Sequence, residues 1–127
     1  MILRTASLLL AGLIASGLAQ AQTPQPGADS DSFEIPEDEL AEQGYLAATL
    51  VANMRVCGAG EQPLTVFYNH EKRLAVGEAG GQANAAQRFD QGFVLGTGHM
   101  RVLQAEGQLK PDQATCQGLS QRLRQAL

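Results

Sequence analysis

The sequence predicts an all-α domain, a small four-helix bundle-like fold held by one disulfide. Apolar residues recur at three- and four-residue steps in four segments, which is the spacing of one helix face. No segment alternates apolar and polar residues with a period of two for long enough to indicate a strand. The chain also carries only two cysteines, Cys57 and Cys116, and they fall where the first and fourth helices are expected. These observations favour helices packed side by side.

Residues 1–21 have the pattern of a cleaved secretory signal. Arg4 precedes an apolar run at 8–18, and the small residues Ala19 and Ala21 resemble a cleavage site. A membrane anchor is the alternative, but the run is shorter than the roughly 20 residues that span a bilayer. We therefore expect a periplasmic or secreted protein with no stable membrane insertion after cleavage.

Charge and composition divide the remaining chain into two parts. The 127 residues contain nine basic and 13 acidic side chains, for a net charge of −4. Residues 22–34 are rich in Pro, Gly, Ser and Asp and are predicted to be a disordered acidic linker; residues 35–127 are predicted to be a single helical domain. Nothing in the chain resembles the basic stripe of a nucleic-acid-binding protein. Seven acids lie close together: Asp29, Asp31, Glu34, Glu37, Asp38, Glu39 and Glu42.

The two cysteines predict a disulfide between Cys57 and Cys116. An even cysteine count in a small exported domain favours a bridge, and two buried free thiols are the alternative. On the chain-entropy model, a loop of this length stabilises the folded state by about 4 kcal/mol. In an antiparallel pair, the end of the first helix and the start of the fourth lie at the same end. The predicted bridge therefore fits an up-and-down bundle.

The first helix is expected to begin at Pro36, because proline suits the first helical position and the acids that follow oppose the helix dipole. Gly58 and Gly60 are expected to end it. The second helix is predicted to begin at Pro63 and to end in the glycine-rich segment 77–81. The predicted apolar stripes of the two helices are Leu40, Gly44, Ala47, Val51 and Met54, and Leu64, Phe67, Tyr68 and Leu74.

The third helix, expected from Ala83, contains three glycines within seven residues. Each interior glycine costs about 1 kcal/mol relative to alanine, so a compensating contact is expected. Gly92 and Gly96 lie one turn apart and predict a flat notch for a neighbouring helix. Gly98 lies on another side, which predicts that this helix is central to the bundle. The notch with its flanking residues comprises Phe89, Gly92, Phe93, Gly96, Gly98 and Met100.

Two alternatives remain for this segment: a kink or break at 96–98, or a notch left open for a partner or a small apolar ligand. The fourth helix is expected from about Pro111, with Cys116, Leu119, Leu123 and Leu127 along one side. The sequence leaves open whether these helices form a closed bundle or three helices with a docked arm.

No catalytic or metal-binding pattern is present in the sequence. His70 and His99 are the only imidazoles and lack the spacing of a zinc site. The glycines of the third helix follow no strand, which argues against a phosphate-binding loop. We therefore expect no enzyme activity, no metal and no cofactor. His99, Arg122 and Arg124 are candidates for polar contacts, the two arginines near the negative end of the last helix dipole and within reach of the acidic first helix.

These observations predict an exported, non-catalytic module that binds another envelope protein, in the manner of an inhibitor or immunity-type protein. A conditional chaperone active in acid is the first alternative, because the acidic helix start loses charge near pH 4. A carrier of a small apolar ligand in the glycine notch is the second. The sequence does not specify the oligomeric state.

Overall fold

The computed structural model of the chain describes residues 33–127 and contains four α-helices in that range. No strand occurs in this part of the chain, so the all-α prediction is confirmed. The predicted signal peptide and most of the predicted linker lie outside the described residues. The helices are α1 (Glu39–Val56), α2 (Glu61–Glu78), α3 (Ala85–Ala105) and α4 (Gln113–Ala126).

The first helix begins at Glu39, so the prediction that it begins at Pro36 is wrong. Asp38 is the N-cap, and its carboxylate accepts a hydrogen bond of 3.0 Å from the backbone amide of Ala41. This bond satisfies one of the amide donors that a helix start leaves without a partner. The same carboxylate binds Arg88 of α3, so a contact between helices helps to fix the first residue of α1.

The other helix starts also differ slightly from the sequence-based prediction. Gly60 caps α2, which begins at Glu61, and Pro63 lies in the first turn, where its missing N–H costs nothing. The third helix starts at Ala85 and runs unbroken through its three glycines to Ala105, so the alternative of a break at 96–98 is wrong. Asp112 caps α4 by accepting a hydrogen bond of 2.7 Å from the amide of Thr115.

The helix order is up-and-down, but α1 and α3, which run parallel, are in the closest contact. Asp38 binds Arg88 near the starts of the two helices, and Tyr45 binds His99 further along both. In a square bundle, these two helices would lie on a diagonal. Helix α1 also packs against α2 and α4, and it contains more buried residues than any of the other three helices. The central helix is therefore α1, and the prediction that α3 is central is wrong.

Two apolar clusters along α1 form the core. The cluster near the start of α1 joins α1, α2 and α3, and the cluster near its end joins α1 and α2 with partly buried side chains of α4. The buried residues are Leu40, Ala47, Ala75, Ala85 and Phe89 in the first, and Val51, Met54, Leu64 and Phe67 in the second. Phe93 of α3 packs against both clusters, which makes the core continuous.

Helix α4 is docked on the surface formed by α1 and α2. None of its residues is buried; Leu119 and Leu123 pack partly covered against the second cluster. A disulfide joins Cys57 to Cys116, with a Cα–Cα distance of 5.5 Å, so the predicted bridge is confirmed. The architecture is a three-helix core with a covalently attached fourth helix, the second of the two arrangements that the sequence left open.

Candidate functional site

The glycine notch of α3 is filled by α1. A β-carbon at Gly92 would overlap the carbonyl oxygen of Ala41, and one at Gly96 would lie 2.8 Å from the carbonyl oxygen of Tyr45. Gly44 of α1 makes the same kind of close approach to α3, because a β-carbon there would overlap the carbonyl oxygen of Phe89. The two backbones are therefore in direct contact, and the notch has no room for a ligand.

Gly98 lies on the opposite side of α3, and this side is open. Beyond Gly98, its chain neighbours and the adjacent backbone of α3, no atom of the described residues lies within 4 Å of the position that its β-carbon would occupy. Three neighbouring apolar side chains are exposed there: Val94 at 70%, Leu95 at 41% and Val102 at 36%. Contrary to the expectation, no other helix of the described segment 33–127 contacts α3 on this side. We call the surface formed by Val94, Leu95, Gly98 and Val102 the outer face of α3.

A groove of about 550 Å³ lies between α2 and α3, with α1 beneath it. Its deepest lining is apolar, because Val51 and Leu64 are buried core residues and Phe93 packs beside them. Thr65 and Val94 lie exposed at its margins. The groove is thus an opening onto the core, and no neighbouring helix covers it in the described part of the chain.

Two polar clusters border this groove. At the start of α2, Arg55 donates two hydrogen bonds, of 2.6 and 2.9 Å, to the carboxylate of Glu61. Two helical turns along α2, the hydroxyl of Tyr68 donates to Asp90 of α3, and Lys72 donates to the same carboxylate at 2.8 Å. These contacts tie α1 to α2 and α2 to α3 and hold the groove margins in place.

In the cluster of Tyr68, Lys72 and Asp90, the protonation state of each group stays constant near neutral pH. Burial raises the pKa of Tyr68, and its hydrogen bond to Asp90 acts in the same direction. Burial acts to raise the pKa of Asp90, but the hydrogen bonds from Lys72 and Tyr68 outweigh it and hold that pKa below its usual value. The hydrogen bond to Asp90 raises the pKa of Lys72. General acid–base catalysis favours a pKa close to the working pH. The shifts of Tyr68, Lys72 and Asp90 instead move each pKa further from neutral pH.

The first clue to this cluster in the sequence is the four-residue spacing of Tyr68 and Lys72, which places both on one side of α2. Sequence reasoning assigned Tyr68 to the core stripe and missed its polar contacts. Asp90 comes from a different helix, and nothing in its local sequence marks it as a partner. Arg55 and Glu61 were missed for a similar reason, because their contact depends on the turn between α1 and α2.

His99 packs against Tyr45 where α1 crosses α3. The Tyr45 hydroxyl lies 2.9 Å from Nδ1 of His99, and the two rings meet edge to face with centroids 5.3 Å apart. Burial lowers the pKa of His99 below its usual value of 6.5, because the charged imidazolium is less well solvated there. The neutral imidazole is therefore favoured in the folded protein at pH 7.

We expect acidification to weaken the fold through His99. Because the unfolded chain binds a proton at a higher pH than the folded chain, the free energy of unfolding decreases as the pH falls through about 6.5. Urea unfolding at pH 7 and pH 5, together with an NMR titration of the His99 ring, measures this effect. A His99→Gln variant should lose this part of the pH dependence; an identical dependence in both proteins would contradict it.

The remaining candidate residues lie apart from the groove. Arg122 binds Glu71 of α2 at 3.3 Å and lies 5.9 Å from the ring centroid of Phe67, so its expected attraction to the acidic part of the first helix is not what the structure shows. Arg124 donates a hydrogen bond of 2.9 Å to the Ser120 hydroxyl within α4. Met100 is buried in the α1–α3 contact.

Among residues 33–127, no group of three or more His, Cys, Asp or Glu side chains is placed to hold a metal ion. No helix in the same range has both the length and the apolar composition to cross a membrane.

Comparison of the chain with protein-family models, with curated proteins and with solved structures gives no match.

Proposed function

We propose that the chain is an exported, non-catalytic module that binds another envelope protein through the groove between α2 and α3. The observation that carries this proposal is the groove itself, an opening of about 550 Å³ onto Val51, Leu64 and Phe93. Exposed apolar surface with a polar rim is typical of interaction sites. An inhibitor or immunity-type protein is the concrete form of this function.

The shape and chemistry of the groove favour an amphipathic helical segment as the bound element. Such segments place an apolar ridge into a hydrophobic groove and use charged rims to fix their register. The floor would accept the ridge, and the clusters around Glu61 and Asp90 would supply the polar rim. Because the ion pairs already fix these rims, little side-chain entropy is lost on binding.

Substitution of Thr65 tests the groove without disturbing the core. Thr65 is exposed at the groove margin, so Thr65→Arg places a long charged side chain over the apolar floor. Gln62→Arg is the matched control, because Gln62 is an exposed polar residue of the same helix that does not line the groove. Wild type and both variants would be used at pH 7 to capture envelope proteins, and the captured protein would then be purified and titrated.

We expect a single protein to be enriched by wild type and Gln62→Arg in a one-to-one complex that survives moderate salt. We expect Thr65→Arg to bind it at least about tenfold more weakly, because the new charge loses its hydration over an apolar floor. Equal binding by both variants, or no partner at micromolar concentration, would contradict the proposal.

Acid-dependent chaperone activity is a second candidate, supported by the position of two titratable groups at the α1–α3 contact. The hydrogen bond from Arg88 lowers the pKa of Asp38, and the amide of Ala41 contributes. A carboxylate whose pKa is lower in the folded chain than in the unfolded chain stabilises the fold when the pH is above its pKa in the unfolded chain. That stabilisation is lost as the pH falls through its pKa in the folded chain. Together with His99, Asp38 makes the contact weaker in acid. Unchanged binding of an apolar dye between pH 7 and pH 3 would exclude this activity.

The carrier hypothesis is not supported by the glycine notch, because Ala41, Tyr45 and Ala48 of α1 occupy it.

A further inference from the structure

Within residues 33–127, no other helix covers the outer face of α3, and its exposed residues are spaced symmetrically about Gly98. Val94 and Val102 lie four residues before and after Gly98, and Leu95 and Arg101 lie three residues before and after it. From these exposed positions we propose that two copies of the chain pair through this face, with α3 antiparallel to its copy and a two-fold axis beside Gly98. The face shares Val94 with the margin of the groove, and its flank contacts reach Asp90 at the groove rim. The proposal does not depend on partner binding in the groove.

The apolar residues match across this axis. At a rise of about 1.5 Å per residue, Leu95 lies about 4.5 Å before Gly98 and Val102 about 6 Å after it, on the same flank of the helix. A two-fold axis reverses the helix direction but keeps each flank opposite its own copy. Leu95 of one copy therefore meets Val102 of the other, and the contact occurs twice.

Charged residues match on the same flank. Arg88 lies about 15 Å before Gly98 and Glu106 about 12 Å after it, both about 80° around the helix from Gly98. The reversal places Glu106 of one copy within about 3 Å, along the axis, of Arg88 of the other. Arg88 already binds Asp38, so Glu106 of the second copy would extend an existing ion pair.

The opposite flank is also self-complementary. Arg101 lies about 4.5 Å after Gly98, and the reversal brings Val94 of the second copy to about 6 Å and Asp90 to about 12 Å on the same side. The arginine stem can cover Val94 while its guanidinium reaches Asp90. The Asp90 carboxylate then accepts a hydrogen bond from Arg101 of the second copy, in addition to those from Lys72 and Tyr68 of its own chain. Opposite charges thus face each other on both flanks.

The open position of Gly98 allows the helices to approach closely at the axis. Because no other helix approaches within 4 Å of its β-carbon position, the missing side chain serves no packing role among residues 33–127. The paired surface from Arg88 to Glu106 covers about 27 Å of helix. Because only one helix of each copy takes part, we expect a weak dimer that forms as the protein concentration rises.

A charge at Gly98 tests the pairing without affecting the fold of the single chain. The protein, purified with its disulfide intact, would be examined by sedimentation over a concentration series. We expect wild type to approach twice the monomer mass by about 1 mM, and Gly98→Glu to raise the dissociation constant at least about tenfold. Gly77→Glu is the matched control, an open glycine of α2 that should dimerise as wild type does.

Cysteine crosslinking tests the antiparallel direction. Gly98→Cys should form a disulfide between copies on mild oxidation, because the two residues meet at the axis. Gln87→Cys should not, because antiparallel pairing separates the two copies of residue 87 by about 33 Å along the helix. Mass mapping would confirm that the Cys57–Cys116 bridge stays intact. The proposal would be overturned if wild type stayed monomeric at about 1 mM, a concentration at which even weak complexes form. It would also be overturned if Gly98→Glu dimerised as wild type does, or if Gln87→Cys formed crosslinks between copies.

Discussion

Replacing Gly92 with alanine is expected to destabilise the protein by about 2 kcal/mol or more. The added β-carbon would overlap the carbonyl oxygen of Ala41, and backbone atoms cannot turn aside as a flexible side chain can. The substitution gains about 1 kcal/mol of helix propensity, which offsets only part of the loss. In a domain of this size, we expect the melting temperature to fall by about 10 °C. Thermal unfolding followed by circular dichroism measures the change.

Gly98→Ala is the matched control for this prediction. Both glycines lie in the interior of α3, but the β-carbon position of Gly98 is open. The same substitution should therefore stabilise the single chain by about 0.5 to 1 kcal/mol. Opposite signs at Gly92 and Gly98 would establish the backbone contact between α1 and α3. If Gly92→Ala is as stable as the wild type, the close approach is absent.

Removal of the disulfide is expected to release α4 before the other helices unfold. The bridge joins residues 59 apart, and on the chain-entropy model it contributes about 4 kcal/mol. Because no residue of α4 is buried, its own packing contributes little to holding it in place. In a variant with Cys57→Ser and Cys116→Ser, the amides of α4 should exchange with solvent much faster than in the oxidised wild type. Hydrogen exchange measured by mass spectrometry resolves each helix separately.

The amides of α1 and α3 serve as the internal reference in that experiment. Their contact does not involve α4, so they should keep most of their protection in the double variant. Reduced wild type should behave as the double variant does, since both lack the bridge. If α4 stays protected in both, Leu119 and Leu123 are sufficient to dock it, and the bridge is not what holds this helix in place.

Local patterns predicted the helices well and their first residues poorly. The stripe that includes Leu40, Val51 and Met54 identified α1 because burial of one helix face leaves a periodic signal. The start of α1 depends on a single carboxylate, Asp38, which is selected as the cap by contacts with Ala41 and with Arg88, 50 residues away. No window of local sequence contains that second contact.

The central position of α1 was missed because glycine was interpreted in α3 alone. Gly44 counted as one more member of an apolar stripe, although its missing side chain is the counterpart of the notch at Gly92 and Gly96. A pair of notches on two helices indicates a crossing only when both are considered together. The groove was missed for a related reason, because it exists where α2 and α3 are apart. A helical pattern shows which face of a helix is suited to burial, but it does not show whether another helix covers that face.

The parallel contact between α1 and α3 also bears on how fast the chain folds. Its two helices are separated in sequence by all of α2, and Asp38 and Arg88 are 50 residues apart. Much of the core therefore consists of contacts between distant residues, which raises the relative contact order above that of a bundle built from adjacent hairpins. The intervening loop must close before the glycine surfaces can meet, at an entropic cost that local helix formation does not repay. We expect slower folding than in hairpin bundles of similar length, with the transition state at the α1–α3 crossing.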